Sequence, residues 1–137
     1  MAYWLMKSEP FVYSWDKLVK DGKGSWDGVR NHLAKRNLMS MAIGDQAFFY
    51  HSNEGLEIVG IMKISKLAHP DPTDETGKFV QVGVQPVAPM PKPVTLKAVK
   101  AEPKLANMAL VTQMRLSVQP VTAAEWALVC KMGGYKP

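Results

Sequence analysis

Four short segments concentrate the side chains capable of chemistry: Lys7-Ser8-Glu9-Pro10, Trp26-Asp27-Gly28-Val29-Arg30-Asn31, Tyr50-His51-Ser52-Asn53 and Arg115-Leu116-Ser117-Val118. Together they supply a large aromatic ring, neutral hydrogen-bonding groups and cations. A flipped or single-stranded base requires that set: a π surface to stack on, donors and acceptors for its edge, and positive charge for its phosphate. Catalytic patterns are scarcer. Neither Lys23 nor Lys78 stands in a glycine frame of phosphate-loop spacing, and no serine occupies a Gly-x-Ser-x-Gly elbow. His32, His51 and His69 lack metal-ligand spacing, so no metal and no cofactor are expected. The one cysteine, Cys130, follows Val129 in an apolar stretch, where burial is the expectation. Lys7 and Glu9 are the exception. They share a face if the strand persists, and a lysine near a carboxylate and a serine can run acid–base hydrolysis.

Each candidate also has a purely structural role open to it. Trp26 can cover one end of the fold, and Asn31 can cap the helix that follows. Arg30 suits a solvated or phosphate-facing cation. His51 ends an apolar strand and can be a structural histidine. Arg115 can pair with a carboxylate such as Glu9. Trp4, Phe48, Phe49 and the nine methionines read as core.

The elements that must position these residues follow from periodicity and turn chemistry. Tyr3 to Lys7 reads as a strand stopped at Ser8-Glu9-Pro10. Ser14 is placed to cap a short helix through Lys20 that Gly22 and Gly24 end. Trp26-Asp27-Gly28 reads as a turn. Val29, Leu33, Asn37 and Met41 recur at spacing four, which predicts a helix from Val29 to Met41 with those residues on its buried face. Gln46 to His51 is a buried strand, Asn53-Glu54-Gly55 a hairpin turn, and Leu56 to Leu67 a long strand. Gly60 within it marks a bulge or a close backbone approach. Phe79 to Val87 reads as a strand that Pro86, Pro89, Pro91 and Pro93 convert into a stiff connection. Thr95 caps a helix through Lys100, and Glu102 to Met108 adds a helical turn. Met114 to Val118 is a strand closed by Pro120. Thr122 and Glu125 form a capping box for a last helix ended by Gly133-Gly134.

The chain has 137 residues, 47% hydrophobic and 21% charged, which suits a single globular domain over residues 1–137 and excludes wholesale disorder. The elements give an α+β fold: five to six strands in a small mixed β-barrel or strongly curved sheet, flanked by short helices. No apolar run reaches the length of a membrane span, so no membrane partner is expected. The first residues lack a basic segment followed by an apolar one, so no signal peptide is expected, and a cytoplasmic or nuclear location follows. Lysine and arginine number 17 against 12 aspartate and glutamate, a net charge of +5 that favours polyanionic partners.

At these clusters the chain resembles the EVE domain family. The likeness runs from Tyr3-Trp-Leu-Met-Lys-Ser-Glu-Pro10 through Trp26-Asp-Gly-Val-Arg-Asn31, Gly44-Asp45, Phe49-Tyr-His-Ser52, Val59-Gly60 and Pro70-Asp-Pro-Thr73 to Arg115-Leu-Ser-Val-Gln-Pro-Val-Thr122 and the final helix. A stand-alone bacterial member is expected. The resemblance implies a PUA-like barrel akin to YTH, ASCH and SRA domains. It also implies reading of a modified base, in DNA or RNA, by an aromatic-walled pocket. By likeness to YTH domains, Trp26 becomes a pocket wall and Ser8, Glu9, Asp27 and Asn31 edge-reading groups. The Tyr/Asp-rich stretch common in the family after Pro-Asp-Pro-Thr is short here, Asp74 to Lys78, and His69 stands where tyrosine is common. Tyr50, Trp4 and Phe79 are the candidates for a second wall.

The expected function is therefore a non-enzymatic reader of a modified cytosine or adenine in DNA or RNA. Trp26 would stack the base, Ser8, Asn31 and Ser52 would read its edge, and Lys7, Arg30, His51 and Arg115 would favour the backbone. One alternative is an ASCH-like hydrolase of modified nucleosides using Lys7 and Glu9. Another is a small-molecule or protein-interaction module.

Overall fold

In the computed structural model, which describes residues 1–136, strand β1 (Tyr3–Ser8) points Trp4 and Met6 to one face and Leu5 to the other, all buried. Strand β3 (Gln46–His51) repeats this, with Ala47 and Phe49 opposite Phe48 and Tyr50. Both faces are covered, so these strands read as unbroken apolar runs rather than alternating ones. One core cluster includes Trp15 and Leu18 of α1 (Trp15–Asp21), Trp26 of β2 (Gly24–Trp26), and Ala34 and Leu38 of α2 (His32–Met39). The other includes Val99 of α3 (Leu96–Ala101), Leu105 of a 3-10 turn, Leu110 of α4 (Ala109–Thr112) and Trp126 of α5 (Ala123–Met132). Trp126 lies between Phe48 and Tyr3, stacked at 3.9 and 4.5 Å between ring centroids, and so docks α5 on the sheet.

The fold is α+β, a six-stranded mixed sheet with short helices. Strands β4 (Glu57–Pro70), β5 (Val80–Thr95) and β6 (Val118–Val121) complete the order β2-β5-β4-β3-β1-β6. The pair β1–β3 is parallel and the other pairs are antiparallel. The sheet is strongly curved but, contrary to the barrel expected from sequence, it does not close. Its terminal strands β2 and β6 do not pair. Helix α2 packs against both β5 and β6 instead, and Asn37 Nδ2 donates to the Val118 carbonyl of β6 at 2.7 Å. A side-chain amide thus occupies a carbonyl that a closing strand would have used.

Most elements stand where capping and periodicity place them. Ser14, Thr95 and Thr122 accept the expected helix N-cap bonds, and Glu125 completes the capping box. The departures have physical reasons. Helix α2 begins at His32, because Asn31 is its cap, and it buries Ala34 and Leu38 while Leu33 stays exposed. The residues before Trp26 form a short strand on β5. Strand β5 runs straight through its prolines to Thr95. Strand β2 pairs only with Val82 to Val84, so from Pro86 onward that edge is open and a missing N–H is tolerated. Likewise β6 begins at Val118, three residues after Arg115, and keeps Pro120 because it is an edge strand.

Two contacts set the curvature and tie the loops. At Gly60 the β3–β4 and β4–β5 registers both shift, and a side chain there would meet the Trp15 indole within 2.6 Å. The absent Cβ lets α1 lie on the strand. The second contact is Asp71, whose side chain is fully buried. It accepts from the Gly28 amide at 2.8 Å, the Thr73 amide at 2.8 Å, the Thr73 hydroxyl at 2.6 Å and Arg30 Nη1 at 3.1 Å. Burial alone would raise this carboxyl. The Thr73 hydroxyl, the two amides and the guanidinium outweigh it and hold the pKa down, at about 2 against an ordinary 3.8.

Two stability predictions follow from these contacts. Gly60→Val overpacks the Trp15 contact and is expected to destabilise by about 1–3 kcal/mol in chemical denaturation; an unchanged midpoint would show that the close approach is dispensable. Because the folded pKa of Asp71 is depressed, its stabilisation is fully present above its unfolded value and is lost as pH falls through its folded one. Asp71→Asn is expected to remove about 2 kcal/mol at pH 7. The gap from wild type should shrink steadily below about pH 4, and a gap independent of pH would sink this assignment.

Candidate functional site

Three of the four sequence clusters meet at the C-terminal end of β1. Parallel pairing sets Lys7 beside Tyr50 and Ser8 beside His51. The Ser52 amide donates to the Ser8 carbonyl, and the Lys7 amide donates to the Ser117 carbonyl, each at 2.9 Å. Ser52 and Ser117 therefore contribute backbone to this junction. Beyond Ser8 the chain makes a tight turn at Pro10 to Val12, in which the Val12 and Tyr13 amides both donate to the Glu9 carbonyl at 2.9 Å.

The curled sheet brings β2 against this junction, although β3, β4 and β5 stand between β1 and β2 in the sheet. Between them lies a cleft of about 530 Å³, within the size range of small-molecule and base pockets. Lys7, Ser8 and Glu9 line one side, Val12 and Tyr13 the turn, and Ser25, Trp26, Asp27 and Gly28 the other. Trp26 is only 5% exposed. It meets Phe49 edge-on at 5.1 Å and Tyr13 edge-on at 6.0 Å between centroids. Its indole is thus both core and cleft floor, not a free-standing stacking plate. Tyr13, half-buried, makes a right-angled corner with it.

The polar groups differ in how far they are already engaged. The Ser8 hydroxyl donates to the Tyr13 carbonyl at 2.8 Å, and Glu9 Oε1 accepts from Asn53 Nδ2 at 2.8 Å. Lys7 Nζ donates to the Met114 carbonyl at 2.6 Å, and burial lowers the pKa of its ammonium. Asp27 is exposed at the rim. The Tyr13 hydroxyl is buried without a hydrogen-bond partner among the described residues. Burial, and then the charges of Asp21 and Asp27, raise its pKa. His51 Nε2 accepts from the Trp15 amide at 3.1 Å, which requires a neutral ring, and burial lowers its pKa accordingly. His51 is therefore a structural fastening for α1 rather than a cation facing a phosphate.

Other candidates lie elsewhere. Arg30 is held by Asp71 and donates through Nη2 to the Thr73 hydroxyl at 2.9 Å. Asn31 Oδ1 accepts from the Ala34 amide at 2.9 Å, so its carbonyl caps α2. Asn31 and Arg115 border a separate groove of about 230 Å³. Arg115 forms no ion pair with Glu9 among the described residues. Of the suggested second walls, Tyr50 is buried in the opposite core cluster, Trp4 donates to Asp45, and Phe79 packs beside His32 and Arg30. The aromatic that sequence reasoning missed is Tyr13, together with Val12 and Ser25. Their one legible signal was proximity in sequence to Glu9-Pro10 and to Trp26. Among the described residues no group of three or more His, Cys, Asp or Glu is placed to hold a metal ion, and no helix is long and apolar enough to cross a membrane. Cys130 is buried, with its thiol pushed up to about 11.

Comparison with known proteins accords with this geometry. A Rhodopseudomonas palustris protein solved by NMR superposes with a TM-score of 0.92 at 62% identity, covering 98% of this chain and 94% of that one. Human thymocyte nuclear protein 1 is 35% identical over 170 aligned positions, 99% of this chain and 76% of the human protein. Its crystal structure in complex with 5-methylcytosine-containing DNA superposes with a TM-score of 0.92 at 34% identity, covering 100% of both chains. A YTH domain from Zygosaccharomyces rouxii, solved with N6-methyladenosine RNA, shares the fold at a TM-score of 0.61 and 18% identity, covering 99% and 88%. The EVE domain model matches residues 2–132, and with these relatives it shows that the chain belongs to the EVE domain family.

Proposed function

We propose that this protein is a reader of a modified base, 5-methylcytosine first, carried in DNA and held in the cleft between β1 and β2. The observation that carries this reading is the cleft itself: an aromatic corner of Tyr13 and Trp26 faced by the carboxylates of Asp27 and Glu9. A cytosine edge presents an exocyclic amine, for which a carboxylate is the matching acceptor. A 5-methyl group adds apolar surface, and Val12 with the Trp26 edge supplies its complement. The human relative solved with 5-methylcytosine DNA supports the same choice of base and carrier.

Base and backbone would be read by different groups. The Asp27 carboxylate, exposed at the rim, offers an acceptor to a base edge, while Tyr13, its hydroxyl buried against Gly24, offers ring surface. Arg115 on the 113–117 loop and the net charge of +5 favour the phosphates. One stacked base contributes about 1–3 kcal/mol, so backbone contacts must supply the rest. The hydrolase alternative has less support. Lys7 Nζ is tied to the Met114 carbonyl, Glu9 is held by Asn53, and the two form no ion pair among the described residues.

The test is a titration of matched duplexes, plain and with one central 5-methylcytosine, at about 50 mM and about 200 mM salt. RNA strands carrying 5-methylcytosine or N6-methyladenosine serve as parallel arms. The expected result is tighter binding of the methylated DNA at both salts, with both affinities falling as salt rises. Asp27→Ala, which removes an exposed carboxylate at the cleft rim, should lose about 1.5–3 kcal/mol of binding while keeping the fold. Trp26→Ala is a poor probe, because removing a buried tryptophan destabilises by about 3–5 kcal/mol on its own. Equal binding of plain and methylated strands would leave a basic surface without a reading pocket. Binding of free nucleoside but no oligonucleotide would favour a small-molecule module.

A further inference from the structure

After Met1, Val12 and Phe11 are the most exposed large apolar side chains of the described residues, at 71% and 69%. They are adjacent and occupy the tip of the tight turn at the cleft mouth. Glu9, Val12 and Tyr13 line the cleft on either side of Phe11. The turn is stiff. Two amides close on the Glu9 carbonyl, the Ser8 hydroxyl holds the Tyr13 carbonyl, Asn53 holds the Glu9 carboxylate, and Pro10 restricts the backbone. A single exposed apolar side chain is ordinary. An exposed phenyl ring on a braced tip beside a base-sized cleft is a more specific arrangement.

Resting on the proposed reading of a modified base in DNA, we propose that Phe11, flanked by Val12, is a wedge that enters the base stack of duplex DNA at the step from which the target base has moved into the cleft. A duplex that gives up one base exposes two base faces around a gap. An apolar ring inserted there restores stacking and discourages return of the base, and apolar side chains unstack base steps in this way in other proteins. A tip fixed before binding loses little freedom on insertion. A single strand has no such gap to fill, so the wedge distinguishes the two forms and makes the duplex the substrate.

The experiment compares wild type, Phe11→Ala and Phe11→Leu on one oligonucleotide with and without a central 5-methylcytosine, each offered as duplex and as single strand. Melting curves check that the variants fold. Phe11→Ala should bind the duplex about tenfold more weakly and the single strand within about twofold of wild type, with Phe11→Leu between. A 2-aminopurine beside the methylated base should brighten on binding of wild type and less with Phe11→Ala. Equal weakening on both forms would make Phe11 a cleft wall and overturn the wedge. So would unchanged duplex binding, while a wild-type preference for the methylated strand would leave the reader intact. If wild type prefers the methylated strand in neither form, the reader fails and the wedge with it.

Discussion

Four rings surround the fully buried phenyl group of Phe49: Trp26 at 5.1 Å, His51 at 5.5 Å, Trp15 at 5.6 Å and Tyr13 at 6.1 Å between centroids. Three of them meet it edge-on, the arrangement the aromatic quadrupole favours. They come from the loop after β1, from α1, from β2 and from β3 itself. Strand β2 has only three residues, and its hydrogen bonds to β5 alone would hold it weakly at the edge of the sheet. The Trp26–Phe49 contact fastens it inside the curve, and that curve brings β2 opposite β1. Core packing and the shape of the cleft therefore depend on the same ring contacts.

This sharing has a consequence for how charge is distributed. Two of the cations expected to face a phosphate are already engaged within the fold. Lys7 secures the 113–117 loop and Arg30 secures Asp71 and Thr73. The rim itself carries an exposed carboxylate, Asp27, whose charge would repel a phosphate, while the Tyr13 hydroxyl is buried. Phosphate contacts position a protein on nucleic acid and base contacts specify the sequence. In the proposed reading the two tasks would fall to different parts of the surface, with the net positive charge acting from outside the cleft.

Sequence and structure part company mainly where tertiary neighbours change what a residue must do. The prolines of β5 read as breakers, because an interior strand cannot lack amide donors. They are harmless here because β2 covers only part of that edge. Leu33 fits a helical apolar stripe, yet it is exposed. Helix α2 starts at His32 and is rotated to bury Ala34 and Leu38 in the gap between β5 and β6. The barrel implied by the family likeness stays open for the same reason, since a helix fills the place of a closing strand pair. His51 looked like a cation at a strand end. One amide bond from Trp15 makes it a neutral acceptor.

The amino-acid sequence by itself determined the family, the strands of the central sheet, the helix caps at Ser14, Thr95 and Thr122 and the special role of Gly60, and it put Lys7, Ser8, Glu9, Trp26 and Asp27 among the candidates that line one cleft. These depend on local periodicity, on turn and cap chemistry, and on contiguous motifs. Only the tertiary structure decided that Tyr13 is the second aromatic of the cleft, that Arg30 belongs to Asp71, and that Asn31 and Arg115 face another groove. Each of those placements depends on the curl of the sheet, which brings segments far apart in the chain within a few ångströms. A linear pattern carries no record of that distance, because the curl depends on packing between segments remote in the chain, such as Trp15 on Gly60 and Trp26 on Phe49.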